Sequence, residues 1–127
     1  MLQNLEILQM AQALASHAGA RQGLTAANVA NADTPGFKAR DLPAFAEVYR
    51  VADPALNLRQ TRPGHLGGPD DQAAGAVPSP GAMKPNGNTV SLEAEMVRAA
   101  QVRGQHDMAL AVYRSAATMI RSSLGRG

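Results

Sequence analysis

The chain has 127 residues, a formal net charge of +2 and no cysteine, with twelve basic and ten acidic residues scattered along it. This excludes disulfides and thiolate metal sites, and it excludes the basic stripe with interleaved aromatics that marks a nucleic-acid reader. Only four aromatic residues are present, Phe37, Phe45, Tyr49 and Tyr113, and much of the 45% hydrophobic content is alanine, so little large apolar surface is on offer for a core.

Residues 1–33 read as one helix. Stepping by three or four residues from Ile7 gives Met10, Leu14, His17, Arg21, Leu24, Asn28 and Asn31, a row that is apolar at first and then increasingly polar. A helix from Leu2 to Asn31 would be about 45 Å long at the standard rise per residue. Ala13-Leu14-Ala15 imitates a cleavage site, but the first 20 residues have no basic start, and Gln3, Asn4, Glu6, Gln9 and Gln12 interrupt any apolar run. A cleaved signal peptide is therefore not expected, and no stretch approaches a transmembrane span. The helix must stop near Asn31 to Asp33. Thr34 precedes a proline, and Pro35-Gly36 supplies the fixed negative and the permitted positive φ of a type II turn. Small residues at Ala26, Ala27, Ala30 and Ala32 invite a close neighbour, across which Asn28 and Asn31 are expected to hydrogen-bond and fix the register.

Residues 34–50 then hold this turn and a short helix beginning at Pro43, with Phe45, Val48, Tyr49 and Ala52 on one face. Residues 51–89 carry six of the eight prolines and six of the twelve glycines, with Leu56, Leu58 and Leu66 as almost the only large apolar residues. Such a segment cannot offset its ordering entropy, and a long irregular loop is expected unless a partner holds it. Residues 90–127 return to helical spacing: Leu92, Met96, Ala99, Arg103, His106, Leu110, Tyr113, Ala117, Ile120 and Leu124. Thr89 or Ser91 is placed to cap this helix, Glu93 and Glu95 suit its positive end, and Arg121 suits its negative end. The fold class is all-α: two long terminal helices packing as a coiled-coil-like pair, joined by a short helix and a Pro/Gly-rich loop.

Asn28 to Leu42, NVANADTPGFKARDL, resembles the N-terminal signature of the bacterial flagellar rod and hook axial family. Gly87 to Met96, GNTVSLEAEM, is similar to the opening of that family's C-terminal helix. The resemblance implies a structural subunit of the basal-body proximal rod, built into a hollow helical tube that transmits torque and encloses the export channel. It implies export by the flagellar type III route without cleavage, into the rod that spans the periplasm. The implied partners are further copies of the chain, other rod proteins, the FliE adaptor and the membrane ring at the rod base.

No catalytic, cofactor or metal residues are assigned. The serines lie in no nucleophile elbow, no phosphate loop or His-Glu-x-x-His helix occurs, and His17 and His106 lack a carboxylate at a ligand-like offset. Neither a nucleic acid nor a small-molecule substrate is expected. The expected subunit interface is Leu14, Leu24, Asn28, Asn31, Leu92, Met96, Leu110, Tyr113, Ala117 and Ile120, with Pro35 and Gly36 setting the turn. Two helices leave most of their apolar faces exposed, and identical faces meeting head to tail without closure build a helical tube. The alternative is a soluble coiled-coil adaptor or export chaperone that presents an amphipathic helix to a client.

Overall fold

A computed structural model of the chain describes residues 2–51 and 75–125. Five elements occur among them: α1 (Leu2–Ala30), β1 (Arg40–Asp41), α2 (Phe45–Val51), β2 (Val77–Pro78) and α3 (Leu92–Leu124). The two long helices, of 29 and 33 residues, lie against one another along their lengths. They run antiparallel: Ala11, Gln12 and Ala15 share a cleft with Ala109, Leu110 and Tyr113, while Arg21, farther along α1, reaches back to Gln105.

The line along which they meet is built from small side chains. Ala11, Ala18 and Thr25 are buried on α1 at intervals of seven residues, and so are Glu95, Val102, Ala109 and Ala116 on α3. A seven-residue repeat on a helix of 3.6 residues per turn keeps one seam against a partner. Alanine suits this seam because it brings the backbones close, where each helix gains from dispersion contacts despite the small area buried. The rows expected from the sequence are offset by one residue from the real seam. Met96, Arg103, Leu110 and Ala117 each follow a buried residue of α3, a rotation of about 100° around the helix.

On α1, His17, Arg21 and Asn28 reach the chain reversal, Arg21 while also bonding Gln105 of α3. His17 Nε2 donates to the Pro43 carbonyl at 2.9 Å, and the ring stands edge-on to Phe45 at 5.6 Å. Phe45 in turn stacks on Tyr49 at 5.3 Å, so α2 is attached to α1 through its aromatic face. Ala52, expected on that face, lies outside the described residues.

Within the loop expected between the long helices, the segment from 75 to 89 carries one two-residue strand. β2 pairs antiparallel with β1, Arg40 opposite Pro78 and Asp41 opposite Val77, and Ser79 N–H donates to the Ala39 carbonyl at 2.8 Å. The partner that orders this stretch is the chain's own reversal. Ala32, Ala39 and Val90 form a small buried cluster there, with Phe37 packed against it. The rest of the expected loop, 52–74, lies outside the described residues.

Ser91 caps α3 as expected, its Oγ accepting from the Ala94 N–H, with Glu93 and Glu95 in the first turn and Arg121 in the last. The α1·α3 seam has no room for a larger residue at Ala18, which is fully buried. Ala18→Leu is expected to destabilise the hairpin by about 1–3 kcal/mol through overpacking. Urea denaturation followed by helical circular dichroism measures it, and an unchanged midpoint would place the seam elsewhere.

Candidate assembly site

The reversal that turns α1 back toward α3 is held by polar side chains. Thr34 to Phe37 form the expected turn: Phe37 N–H donates to the Thr34 carbonyl at 3.3 Å and Gly36 has φ +74°. A second turn sits on it. Gly87 N–H donates to the Lys84 carbonyl at 2.9 Å, Lys84 N–H to the Asn88 carbonyl at 2.9 Å, and Gly87 has φ +81°. The two turns are joined by Gly36 N–H donating to the Asn86 carbonyl at 2.9 Å. Both positive φ values require glycine, since a Cβ there meets the carbonyl oxygen that follows it.

Asn88 ties this second turn to the end of α1. It is completely buried, and its Nδ2 donates to the carbonyls of Asn31 at 2.9 Å and Thr34 at 2.8 Å, in the turn that follows α1, adding a second bond to each. Its Oδ1 accepts from Val90 N–H at 2.7 Å. Sequence reasoning missed this side chain, because an amide that bridges 57 residues leaves no local pattern.

Asn28 proves to be an internal fastener. Its Nδ2 donates to the Arg40 carbonyl at 2.8 Å and its Oδ1 accepts from the Arg40 N–H at 3.1 Å, so the amide mimics a strand partner. In the single chain only 1% of its surface is exposed, and these bonds hold it to its own reversal. Asn31 is half-buried; its Nδ2 donates to the Ala27 carbonyl at 2.8 Å and its Oδ1 accepts from the Thr34 hydroxyl at 3.2 Å.

Asp41 binds all these parts together. Its two oxygens accept from Arg21 Nε and Nη2, both at 2.9 Å, in a bidentate pair. Arg98 of α3 approaches the same carboxylate, Nε to Oδ2 at 3.1 Å, while also donating to Ser79 Oγ at 2.8 Å and pairing with the buried Glu95. The chain Arg21–Asp41–Arg98–Glu95 thus links α1, β1 and α3, and Ser79 adds the strand segment from the far side of the loop.

Burial alone pulls the Asp41 carboxyl upward, but hydrogen bonds from Arg21 and the Leu42 amide, with the charges of Arg21 and Arg98, outweigh it and hold the group below its ordinary 3.8.

The other residues expected at the interface lie outside this cluster, and α3 shows many of them to solvent. Met96, Leu92 and Tyr113 are 73%, 50% and 46% exposed, while Leu110, Ala117 and Ile120 are half-buried. Leu14 and Leu24 on α1 are half-buried, and Pro35 and Gly36 are exposed at the tip. A second exposed row, Val97, Met108, Val112 and Met119, runs along another side of α3. The α1·α3 seam passes between these two apolar rows. On α1 a shallow groove is lined by Ser16, Gly19, Ala20, Gly23 and Leu24, and a Cβ added at either glycine would touch nothing. Among the described residues no cluster of His, Asp and Glu could hold a metal ion, and no helix is long and apolar enough to cross a membrane.

A carboxyl depressed by folding contributes stability that is complete above its unfolded value near 3.8 and is lost as the pH falls through its lower folded value. Asp41→Asn is expected to cost about 2–3 kcal/mol at neutral pH, less than a fully buried pair because some solvent reaches the cluster. The variant should also lose less of its remaining stability than the parent on acidification below 3.8. Urea titrations at neutral and acid pH measure both effects; parallel acid losses in the two chains would remove Asp41 from this role.

The flagella basal body rod protein family model matches residues 9–38, which span most of α1 and the Pro-Gly turn. Over 98% of this chain and 97% of the relative, the sequence is 28% identical to flagellar basal body rod protein FlgB of Agrobacterium fabrum. It is 34% identical to the FlgB of Cereibacter sphaeroides, covering 72% of this chain and 73% of the relative. It is 32% identical to the FlgB of Escherichia coli, covering 71% and 72%. With its helical hairpin, its Pro-Gly turn and these relatives taken together, the chain belongs to the flagellar basal-body rod protein family of FlgB.

Proposed function

We propose that the chain is a structural subunit of the proximal part of the flagellar rod, assembling through its two long helices into a hollow tube that transmits torque and encloses the export channel. The observation that carries this reading is the position of the large apolar side chains. The molecule buries alanines between its helices and leaves Leu92, Met96, Val97, Met108, Tyr113, Met119 and Leu124 exposed, on more than one side of α3. A folded monomer has no use for that arrangement, whereas a subunit with neighbours on two sides needs it.

The partners in this reading are further copies of the chain, the other rod proteins, the FliE adaptor and the membrane ring at the rod base. Leu14 and Leu24 on α1, and Leu92, Met96, Leu110, Tyr113, Ala117 and Ile120 on α3, are the residues proposed to meet them. The route is export without cleavage, followed by assembly in the periplasm-spanning rod. Structural packing is the whole of the activity; no catalytic step is proposed. Family membership leaves the adaptor or chaperone reading without support.

Leu92→Asp combined with Met96→Asp tests the interface at two residues that do not line the cleft between the helices. Both side chains are exposed, so the purified double variant should keep the helix content of the parent. Cells carrying it should lose swimming in soft agar and yield no complete rods. Normal motility would exclude this face from the assembly.

A further inference from the structure

We propose that Asn86–Gly87 is a site of spontaneous deamidation whose rate is set by whether the reversal is folded. Asn86 is the one asparagine of the chain followed by glycine. Without a side chain on the following residue, little hinders that residue's backbone nitrogen from reaching the asparagine amide carbon. After losing its proton to water-borne base, Gly87 N forms a bond to Asn86 Cγ, the Cγ–Nδ2 bond breaks, and Nδ2 departs as ammonia. Water then opens the cyclic imide at either carbonyl, giving aspartate or isoaspartate. One water is consumed and one ammonia released, with no redox change.

At residue 87 the turn cannot readily use another residue, because Gly87 has φ +81°, a conformation that side-chain-bearing residues rarely adopt. The fold restrains the reaction instead. Each group that must move is engaged: Gly87 N–H with the Lys84 carbonyl at 2.9 Å, Asn86 Oδ1 with Asn88 N–H at 3.1 Å, and the Asn86 carbonyl with Gly36 N–H at 2.9 Å. Asn88, fully buried and bonded to the Asn31 and Thr34 carbonyls, anchors the whole turn. Ring closure must bring Gly87 N onto Asn86 Cγ, and the bonds held by Gly87 N–H and Asn86 Oδ1 oppose it.

Isoaspartate has a lasting effect. It lengthens the main chain by one carbon between residues 86 and 87 and leaves a free carboxylate where the Asn86 carbonyl received Gly36. A chain aged while unfolded therefore cannot remake the contact between the two turns. The reversal separates fresh chains from aged ones, and this holds whether or not the rod reading is right.

The test follows residue 86 by peptide-mapping mass spectrometry in the full-length chain, kept in mildly alkaline buffer and, in parallel, in concentrated urea. Modification in buffer should be slower by about tenfold or more, a difference of about 1.4 kcal/mol in barrier. The other asparagines should stay intact in both. Asn88→Ala, which frees the turn, should react in buffer close to the urea rate. After removal of urea, the isoaspartate fraction should fail to regain the parent helix content, while Asn86→Asp, which has a normal main chain, should regain it. Equal rates in buffer and urea, a protected Asn88→Ala chain, or full recovery of the isoaspartate fraction would each overturn the proposal.

Discussion

Two helices that meet along Ala11, Ala18, Ala109 and Ala116 come close together but remove little apolar surface from water. Everything else in the molecule answers to that constraint. A seam of small residues fixes the distance and register of the pair. It also leaves larger side chains of α3 exposed, Leu92 and Met96 on one side, Val97 and Met108 on another. The apolar area that would stabilise a monomer is thus placed where only another molecule can cover it.

Because the seam is weak in area, the hairpin depends on how its connection is fastened. The reversal uses directional bonds beside its small core: the Asn28 amide on the Arg40 backbone, the Asn88 amide on the Asn31 and Thr34 carbonyls just past α1, and the Asp41 carboxylate between Arg21 and Arg98. Such bonds contribute modestly in net terms but are costly to leave half made, so they specify one geometry more than they add stability. Their joint effect is to pin both ends of the segment between the helices, at Asp41 and at Ser79, on the same side of the helix pair. Thus α3 is presented at a fixed rotation, and its two exposed rows keep defined directions.

Much of this was legible in the residues, and what was not has physical reasons. The extents of α1 and α3 followed from unbroken three-and-four spacing, and the turn at Pro35-Gly36 followed from φ restrictions that act on single residues. The rotation of each helix did not follow. In a chain so rich in alanine, the buried row carries no more hydrophobic signal than its neighbours, and the large apolar residues that stand out in the sequence are mostly left exposed. That is why Met96 and Tyr113 could be named as interface residues while Ala109 and Val102 passed unnoticed. The two-residue ladder of β1 with β2 is too short to leave an alternation, and Pro78 within it argues against a strand. Arg21 stood in the expected row on α1, but its partner Asp41, 20 residues away, had no periodic relation to it.

The claim on which the account rests is that the large apolar rows of α3 are covered only in the assembled rod. The chain has no cysteine, so single cysteines at Met96 and Met108 give unambiguous labels. Maleimide reactivity measured on the purified chain and on isolated basal bodies, using variants that still swim, tests the claim most directly. The account predicts rapid labelling at both positions in the free chain and strong protection at both in the rod. Protection already present in the free monomer, or equal reactivity in the two states, would contradict it.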